Sequence, residues 1–227
     1  MKTAILRLVG VALIVSPAIG FAQQRSKPTA ATYITKEEVD TVNKTPGVDR
    51  TIRVMDIGDQ HFSVGIIHRG STSAPPAAAG AGRQAGAGGG GGRAGGPPAN
   101  TQACGEAMQN VPSGLAGGIS HNKQTEGYYI VSGAGEMVTG GHIVNGRTSA
   151  PDSEVTTTLN GPSCSGQIAG NDVVKRNVKV GDIIIIPAGV PHGWSNIPEH
   201  VDYLSFRPSA DILTVGYENP ALKGMKK

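Results

Sequence analysis

A histidine at the start of a strand is the first feature of this 227-residue sequence that points to chemistry. The run Ile183–Ile186 reads as a buried strand that ends at Pro187. Gly189 and Pro191 then predict a tight turn, and His192 opens the next strand. A rigid turn of this kind fixes the rotamer of the histidine, as an imidazole that binds a metal or moves a proton requires.

The same segment resembles the second motif of the cupin family, whose pattern is G-x5-P-x-G-x2-H-x3-N. Its specified positions are filled, in order, by Gly181, Pro187, Gly189, His192 and Asn196. Five fixed positions rarely match by chance, so the resemblance is specific.

The first cupin motif, H-x-H-x(3,4)-E-x6-G, is incomplete in this chain. Glu126 and Gly133 have the required spacing, and His121 precedes Glu126 by the spacing of the second histidine. Ile119 then stands where the first histidine is expected. An alternative alignment makes His121 the first histidine and Lys123 the second, but it leaves only two residues before Glu126. We therefore prefer the first alignment.

The resemblance implies that His121, Glu126 and His192 point into a barrel and hold one divalent transition metal, which could be iron, manganese, zinc, copper or nickel. Two imidazoles and a carboxylate suit such a metal, and three protein ligands leave positions open for water or substrate. Ile119 would then form part of the substrate pocket. Because Ile119 replaces a ligand, a metal-free histidine cluster remains the alternative.

Three further side chains are candidates for the pocket. Tyr128 shares a face with Glu126 by period-two alternation, so it could line the pocket and handle protons as a catalytic residue. Trp194 shares a face with His192 in the same way. Core packing explains Tyr128 equally well and explains Trp194 better than a place in the pocket wall. His68 could project into the same cavity and replace the missing ligand.

Other charged and histidine side chains are weaker candidates. Three arginines could hold an anionic substrate, although charges exposed at strand ends explain them better; they are Arg53, Arg69 and Arg207. The remaining histidines are predicted to lie on the surface or in loops; they are His61, His142 and His200.

Short β-rich runs dominate the rest of the chain. Thr35 begins a capping-box pattern that predicts a short helix through about Asn43. The predicted strands are Arg53–Asp56, Phe62–His68, Leu115–His121, Tyr128–Ser132, Glu136–Thr139, Glu154–Leu159, Val173–Val180, Ile183–Ile186, His192–Asn196, Val201–Phe206 and Ile212–Tyr217. Glycine-containing turn signals at 132–135, 145–146 and 181–182 separate them. This pattern predicts an all-β sandwich or barrel, and the resemblance specifies the double-stranded β-helix, or jelly-roll, of cupins.

The ends and the interior of the chain divide it into four parts. Residues 1–22 read as a signal peptide that is cleaved after Ala22, because a positive start, a short apolar run and a small-x-small site follow one another. Residues 23–73 carry the short helix and the first barrel strands. Residues 74–100 consist almost entirely of Gly, Ala and Pro, which predicts a disordered insertion. Residues 101–227 form the barrel core and the C-terminal tail.

Composition narrows the partners and the compartment. Without Lys2 and Arg7 of the leader, the chain keeps one net positive charge and has no basic block, which argues against nucleic acid as a partner. No membrane span is predicted after cleavage. In an oxidising compartment, Cys104 and Cys164 would form a disulfide, with two free thiols as the alternative.

These observations predict a periplasmic or secreted cupin that binds one metal and acts on a small molecule, with oxygenase, lyase or isomerase chemistry. The alternative is a non-catalytic module that binds a sugar or another small molecule in the same cavity. The family resemblance also suggests a homodimer.

Overall fold

The structure is a computed structural model that describes residues 28–72, 100–209 and 212–225. The predicted signal peptide, and all but the last residue of the predicted disordered insertion, lie outside these residues. The helix and strands, in chain order, are α1 (Lys36–Asn43), β1 (Asp49–Asp56), β2 (His61–Gly70), β3 (Ala103–Cys104), β4 (Gly117–His121), β5 (Glu126–Thr139), β6 (His142–Thr148), β7 (Ser163–Ala169), β8 (Val174–Lys179), β9 (Ile183–Ile186), β10 (His192–Asn196) and β11 (His200–Ser209).

The strands form two antiparallel sheets that share β5. The first sheet runs β1-β2-β11-β5-β9. The second sheet runs β8-β5-β10-β4-β7-β6-β3. Their inner faces pack together: the ring of Trp194 on β10 lies 5.6 Å from that of Tyr203 on β11, centroid to centroid. This is the double-stranded β-helix that the sequence predicts, and β1 and β2 belong to it.

β5 passes from one sheet to the other without a turn, so the turn predicted at 132–135 is wrong. Gly133 pairs with Val201 in the first sheet, and Ala134 pairs with Lys179 in the second. Gly133 has φ +69°, and a Cβ there would lie 2.0 Å from the carbonyl oxygen of His200. The glycine therefore bends one long strand instead of ending it.

The helix α1 confirms its predicted start and end. Thr35 accepts a hydrogen bond from the Glu38 amide, while the Glu38 carboxylate accepts one from the Thr35 amide. Buried Val42 packs the helix on the outer face of the first sheet, against Ile52 and Ile66. No helix in the described residues is long and apolar enough to cross a membrane.

Two predicted strands are not strands in the structure. Val155–Leu159 forms a π-helical turn, because threonine side chains offer local bonds that compete with a sheet: Thr157 Oγ1 donates to the carbonyl of Ser153 at 3.0 Å. Residues 212–217 bend instead at Gly216, which has φ +77°. The other predicted strands are present, although several differ from the prediction in their first or last residue.

Three strands that the sequence did not predict, β3, β6 and β7, lie side by side, and the disulfide joins the two outer ones. The predicted turn at Asn145 and Gly146 lies inside β6, where Asn145 has φ +49° and the register shifts. Cys104 on β3 and Cys164 on β7 flank β6 and are joined, with Cα atoms 6.0 Å apart. A Cβ on Gly146 would lie 2.8 Å from Cys164 Sγ. Gly146 therefore provides the space that the bridge needs.

Candidate metal centre

Three strand ends meet at one buried point, where the predicted ligands lie. His121 is the last residue of β4, Glu126 the first of β5 and His192 the first of β10. Each is at most 3% exposed, and one donor atom from each lies within 4.8 Å of the other two. Both histidine Nε2 atoms lie 3.1 Å from Glu126 Oε2. The two sequence motifs thus form one cluster.

Backbone contacts between the two motifs hold this cluster together. His192 pairs with Ile119 across β10 and β4, and the amide of Gly189 donates to the carbonyl of His121 at 2.7 Å. Ile119 is 2% exposed and lines the same cavity as the histidines. The apolar side chain therefore occupies the place where the family's first histidine is expected.

Hydrogen bonds at the outer nitrogens orient both imidazoles. His192 Nδ1 lies 3.0 Å from the Val190 carbonyl, which can only accept, so this nitrogen carries the proton. Ser163 Oγ donates to the carbonyl of Gly161 at 2.8 Å and so accepts from His121 Nδ1, also at 2.8 Å. Both Nε2 atoms then direct lone pairs at the same carboxylate oxygen.

This donor set fits a divalent transition metal. His192 Nε2 is buried and has no hydrogen-bond partner among the described residues. Burial lowers the pKa of His121 by more than the neighbouring Glu126 raises it, so its neutral form is favoured. A cation would relieve the repulsion between the two lone pairs and the carboxylate, and outer hydrogen bonds of this kind commonly orient metal-binding histidines.

Glu126 is held as a carboxylate by donors on both oxygens. Its Oε1 accepts from Arg207 Nε at 2.6 Å and from Ser205 Oγ at 3.2 Å. Its Oε2 accepts from the hydroxyl of Tyr128 at 2.6 Å. Burial alone would raise the pKa of Glu126, but the charge of Arg207 holds it well below its usual range.

Arg207 belongs to the site, so its prediction as a charge exposed at a strand end is wrong. Its side chain is only 1% exposed. Besides Glu126 it donates to Asp49 Oδ2 at 2.6 Å and to the Leu159 carbonyl at 2.9 Å. Burial opposes its charge, but Asp49 and Glu126 raise the pKa of Arg207 overall. Period-two alternation with Ser205 on β11 was the only sequence signal that it faces inward.

A small cavity lies beside the cluster. Its volume is about 20 Å³, enough for one water, one ion or one polar group of a ligand. Its wall is made by Asp49, Ile67, Arg69, Ile119, His121, Glu126, Tyr128, Asn160, His192, Gly193, Trp194, Tyr203 and Arg207. Tyr128 and Trp194 are thus placed in the pocket, and both also pack in the barrel core.

Burial sets the protonation of Tyr128. Together with the neighbouring Glu126 it raises the pKa of the phenol well above its usual value. The hydroxyl therefore keeps its proton and serves as a donor.

The structure corrects the placement of His68. It is not part of the cavity wall, since its neighbours Ile67 and Arg69 face inward and His68 lies on the opposite face of β2. Its side chain is half exposed, and its Nδ1 lies 2.6 Å from Asp202 Oδ1. His68 therefore does not replace the ligand absent at Ile119.

The remaining candidates lie apart from the cluster or at its edge. His61 is buried, contrary to prediction, with Nδ1 2.6 Å from the Leu213 carbonyl. The half-exposed His142 lies with its Nε2 3.0 Å from Glu106 Oε2. Arg53 forms ion pairs outside the cavity with Glu38 and, at 2.9 Å, with Glu218. Arg69 lines the cavity and donates to the hydroxyl of Tyr203 at 2.9 Å.

Solved structures with a similar course of the chain are distant in sequence. One is a protein from Bacillus halodurans (10% identity, 85% of this chain and 89% of that chain, TM-score 0.41). A second is an uncharacterized conserved protein with a double-stranded β-helix domain from Klebsiella pneumoniae (14%, 81% and 94%, 0.34). A third is an oxalate oxidase in complex with glycolate (14%, 82% and 59%, 0.30). At these TM-scores the likenesses carry no argument about this chain.

The family itself rests on the sequence profile. No curated protein matches the chain. The profile of the family described as Cupin matches residues 100–215, a little over half of the chain. That range includes both motifs and every strand from β3 to β11. The protein is therefore a member of the cupin family.

Proposed function

We propose that the protein binds one divalent transition metal through His121, Glu126 and His192 and acts on a small molecule in the adjoining cavity. One observation carries the proposal: two buried imidazoles whose Nδ1 atoms are already occupied direct their Nε2 atoms at one carboxylate oxygen. Iron, manganese, zinc, copper and nickel all accept such a donor set.

The chain's own residues divide the work of such a site. A bound metal would supply Lewis-acid or redox chemistry of oxygenase, lyase or isomerase type. Arg207 and Ser205 occupy one oxygen of Glu126, so that the other oxygen faces the histidines. Tyr128 donates a hydrogen bond to that second oxygen. As the catalytic residue we propose, it would redirect this hydrogen bond to a reacting group rather than act as a base. Ile119 adds an apolar wall that excludes water.

The direct test is metal content per chain. Residues 23–227, purified without a tag or chelator, should contain close to one transition metal by elemental analysis. His192→Ala and Glu126→Ala should each abolish it, whereas His142→Ala, which removes an imidazole distant from the cluster, should retain it. Equal metal content in all of these proteins would contradict the assignment.

A non-catalytic module that binds a sugar or another small molecule is the second candidate. It is favoured by Ile119 and by the buried Arg207–Glu126 ion pair, which already neutralises the carboxylate. In a metal-free site, the hydroxyl of Ser163 would turn from the Gly161 carbonyl to donate to His121 Nδ1. His121 would then carry its proton on Nε2 and donate a hydrogen bond to Glu126 Oε2, 3.1 Å away. Such a module would keep its ligand affinity after chelation, whereas the metal site would lose it.

We also propose that the protein is exported, periplasmic or secreted. The Cys104–Cys164 disulfide supports this, since such bridges persist in oxidising compartments. Cell fractionation and N-terminal sequencing should find a chain that begins at Gln23.

A homodimer is the proposed assembly. The outer face of β9 exposes Ile183 (70%) and Ile185 (67%), and β9 pairs with β5 alone among the described strands. An apolar edge of this kind suits a second copy. Sedimentation should show a dimer that Ile185→Lys converts to a monomer; a wild-type monomer would contradict this.

A further inference from the structure

The cavity beside the proposed metal site has a second polar wall that the three ligands do not use. Asp49, at the start of β1, and Asn160, which follows the π-helical turn, both line this cavity. Asp49 Oδ1 and Asn160 Oδ1 are buried and have no hydrogen-bond partner among the described residues. Buried polar atoms left without partners cost free energy, so such atoms usually bind something.

One guanidinium positions both residues. Arg207 donates to Asp49 Oδ2, which leaves Oδ1 as the free oxygen. It also donates to the carbonyl of Leu159, the residue before Asn160. Because the same guanidinium binds Glu126, this wall and the proposed metal ligand are connected rigidly. Asp49 and Asn160 are thus built into the site.

The backbone around Asn160 is unusual in a way that supports a functional role. The amide of Asn160 donates to the carbonyl of Val155 at 2.7 Å, the five-residue bond of a π-helix. A second contact fixes the turn, since Thr51 Oγ1 donates to the Thr158 carbonyl at 2.9 Å. π-helical turns are rare and frequently occur at functional sites.

We propose that Asp49 and Asn160 recognise the small molecule by accepting hydrogen bonds from its hydroxyl or amine groups, one proton to each oxygen. A carboxylate oxygen and an amide oxygen can accept but not donate, so the matching group must donate. The space of about 20 Å³ suits a single group of that size. The inference rests on the proposed function only in that the molecule enters this cavity, and it specifies a hydroxyl- or amine-bearing substrate.

The test compares glycolate with acetate, which differ by one hydroxyl group. Protein reloaded with cobalt(II) is titrated with each, and the visible absorption of the metal reports binding. The wild-type protein should prefer glycolate by about tenfold beyond the preference of free cobalt(II), as expected when its single hydroxyl donates to the buried Asn160 oxygen that otherwise has no partner among the described residues. Asn160→Leu should lose most of this excess preference at unchanged cobalt content.

Two control variants show whether a lost preference comes from misfolding rather than from the missing acceptor oxygen. Asn160→Asp keeps the shape and an acceptor oxygen, so it should retain the preference. Asn177→Leu, a matched change on the exposed β8, should behave as wild type. Equal preference in wild type and Asn160→Leu, or no glycolate binding by the wild-type protein, would overturn the inference.

Failure of the metal proposal would look different. In that case the wild-type protein would take up no cobalt(II), and the same pair of ligands would be compared by calorimetry on metal-free protein. A glycolate preference that Asn160→Leu abolishes would then support recognition by Asp49 and Asn160 without a metal. If the metal-free protein showed no glycolate preference, both proposals would be overturned.

Discussion

At the scale of single residues, Arg207 decides the charge balance of the site. It lies between Glu126 and Asp49, and its guanidinium is 1% exposed. Removing one partner from a buried ion pair leaves an uncompensated charge, so Arg207→Ala should destabilise the protein by about 3–5 kcal/mol. Urea denaturation measures this. The control is Lys36→Ala, which removes an exposed ion pair with Asp40 and should leave the urea midpoint close to that of the wild-type protein.

The pH dependence of stability should follow Glu126. Despite burial, the charge of Arg207 holds the folded pKa of Glu126 well below the usual range, whereas the unfolded carboxyl titrates near 4.3. Below about pH 5 the unfolded state therefore binds a proton that the folded state does not, and stability present at neutral pH is lost. Urea midpoints of chelator-treated protein from pH 7 to 3 should fall less steeply in Glu126→Gln; identical slopes would contradict this.

Spacing alone could predict His121, Glu126 and His192, because each lies in a motif whose strand and turn are local. Arg207 and Asn160 could not be predicted in the same way. Each reaches the site from a different element. The hydrogen bonds that place them there, from Arg207 to Leu159 and to Asp49, join residues about 50 to 160 positions apart. A buried arginine and a solvated one look alike until the partner carboxylates are in place.

At the scale of elements, glycine is the signal that does not distinguish a turn from a bend within a strand. Alternating apolar residues predict most of the strands, and the capping box at Thr35 predicts the helix. Gly133 and Gly146 were interpreted as turns, yet one bends a continuous strand and the other passes beneath a disulfide. Gly133 supplies a positive φ, whereas Gly146 supplies only the space that a missing side chain leaves, so the residue type by itself does not distinguish a turn from a bend.

Gly133→Ala should therefore damage the fold through β5. A Cβ there would lie 2.0 Å from the His200 carbonyl oxygen in addition to the strain of φ +69°. We expect a loss of about 3 kcal/mol or more. Gly114→Ala is the matched control, since Gly114 has φ +80° but nothing within 4 Å, and it should lose only about 1 kcal/mol. Equal losses in thermal unfolding would show that contact with β11 is unimportant.

At the scale of the whole molecule, the disulfide should stabilise the barrel without maintaining the metal site. The bridge closes 60 residues, so replacing both Cys104 and Cys164 by Ser should cost about 4 kcal/mol in the chain-entropy account. Ser163, which orients His121, precedes Cys164, but its place opposite His121 is set by the backbone pairing of β4 with β7. Metal content of the double variant should therefore equal that of the wild-type protein at temperatures where both are folded. A folded variant that lost its metal would mean that the bridge, rather than the strand register, holds Ser163 against the imidazole.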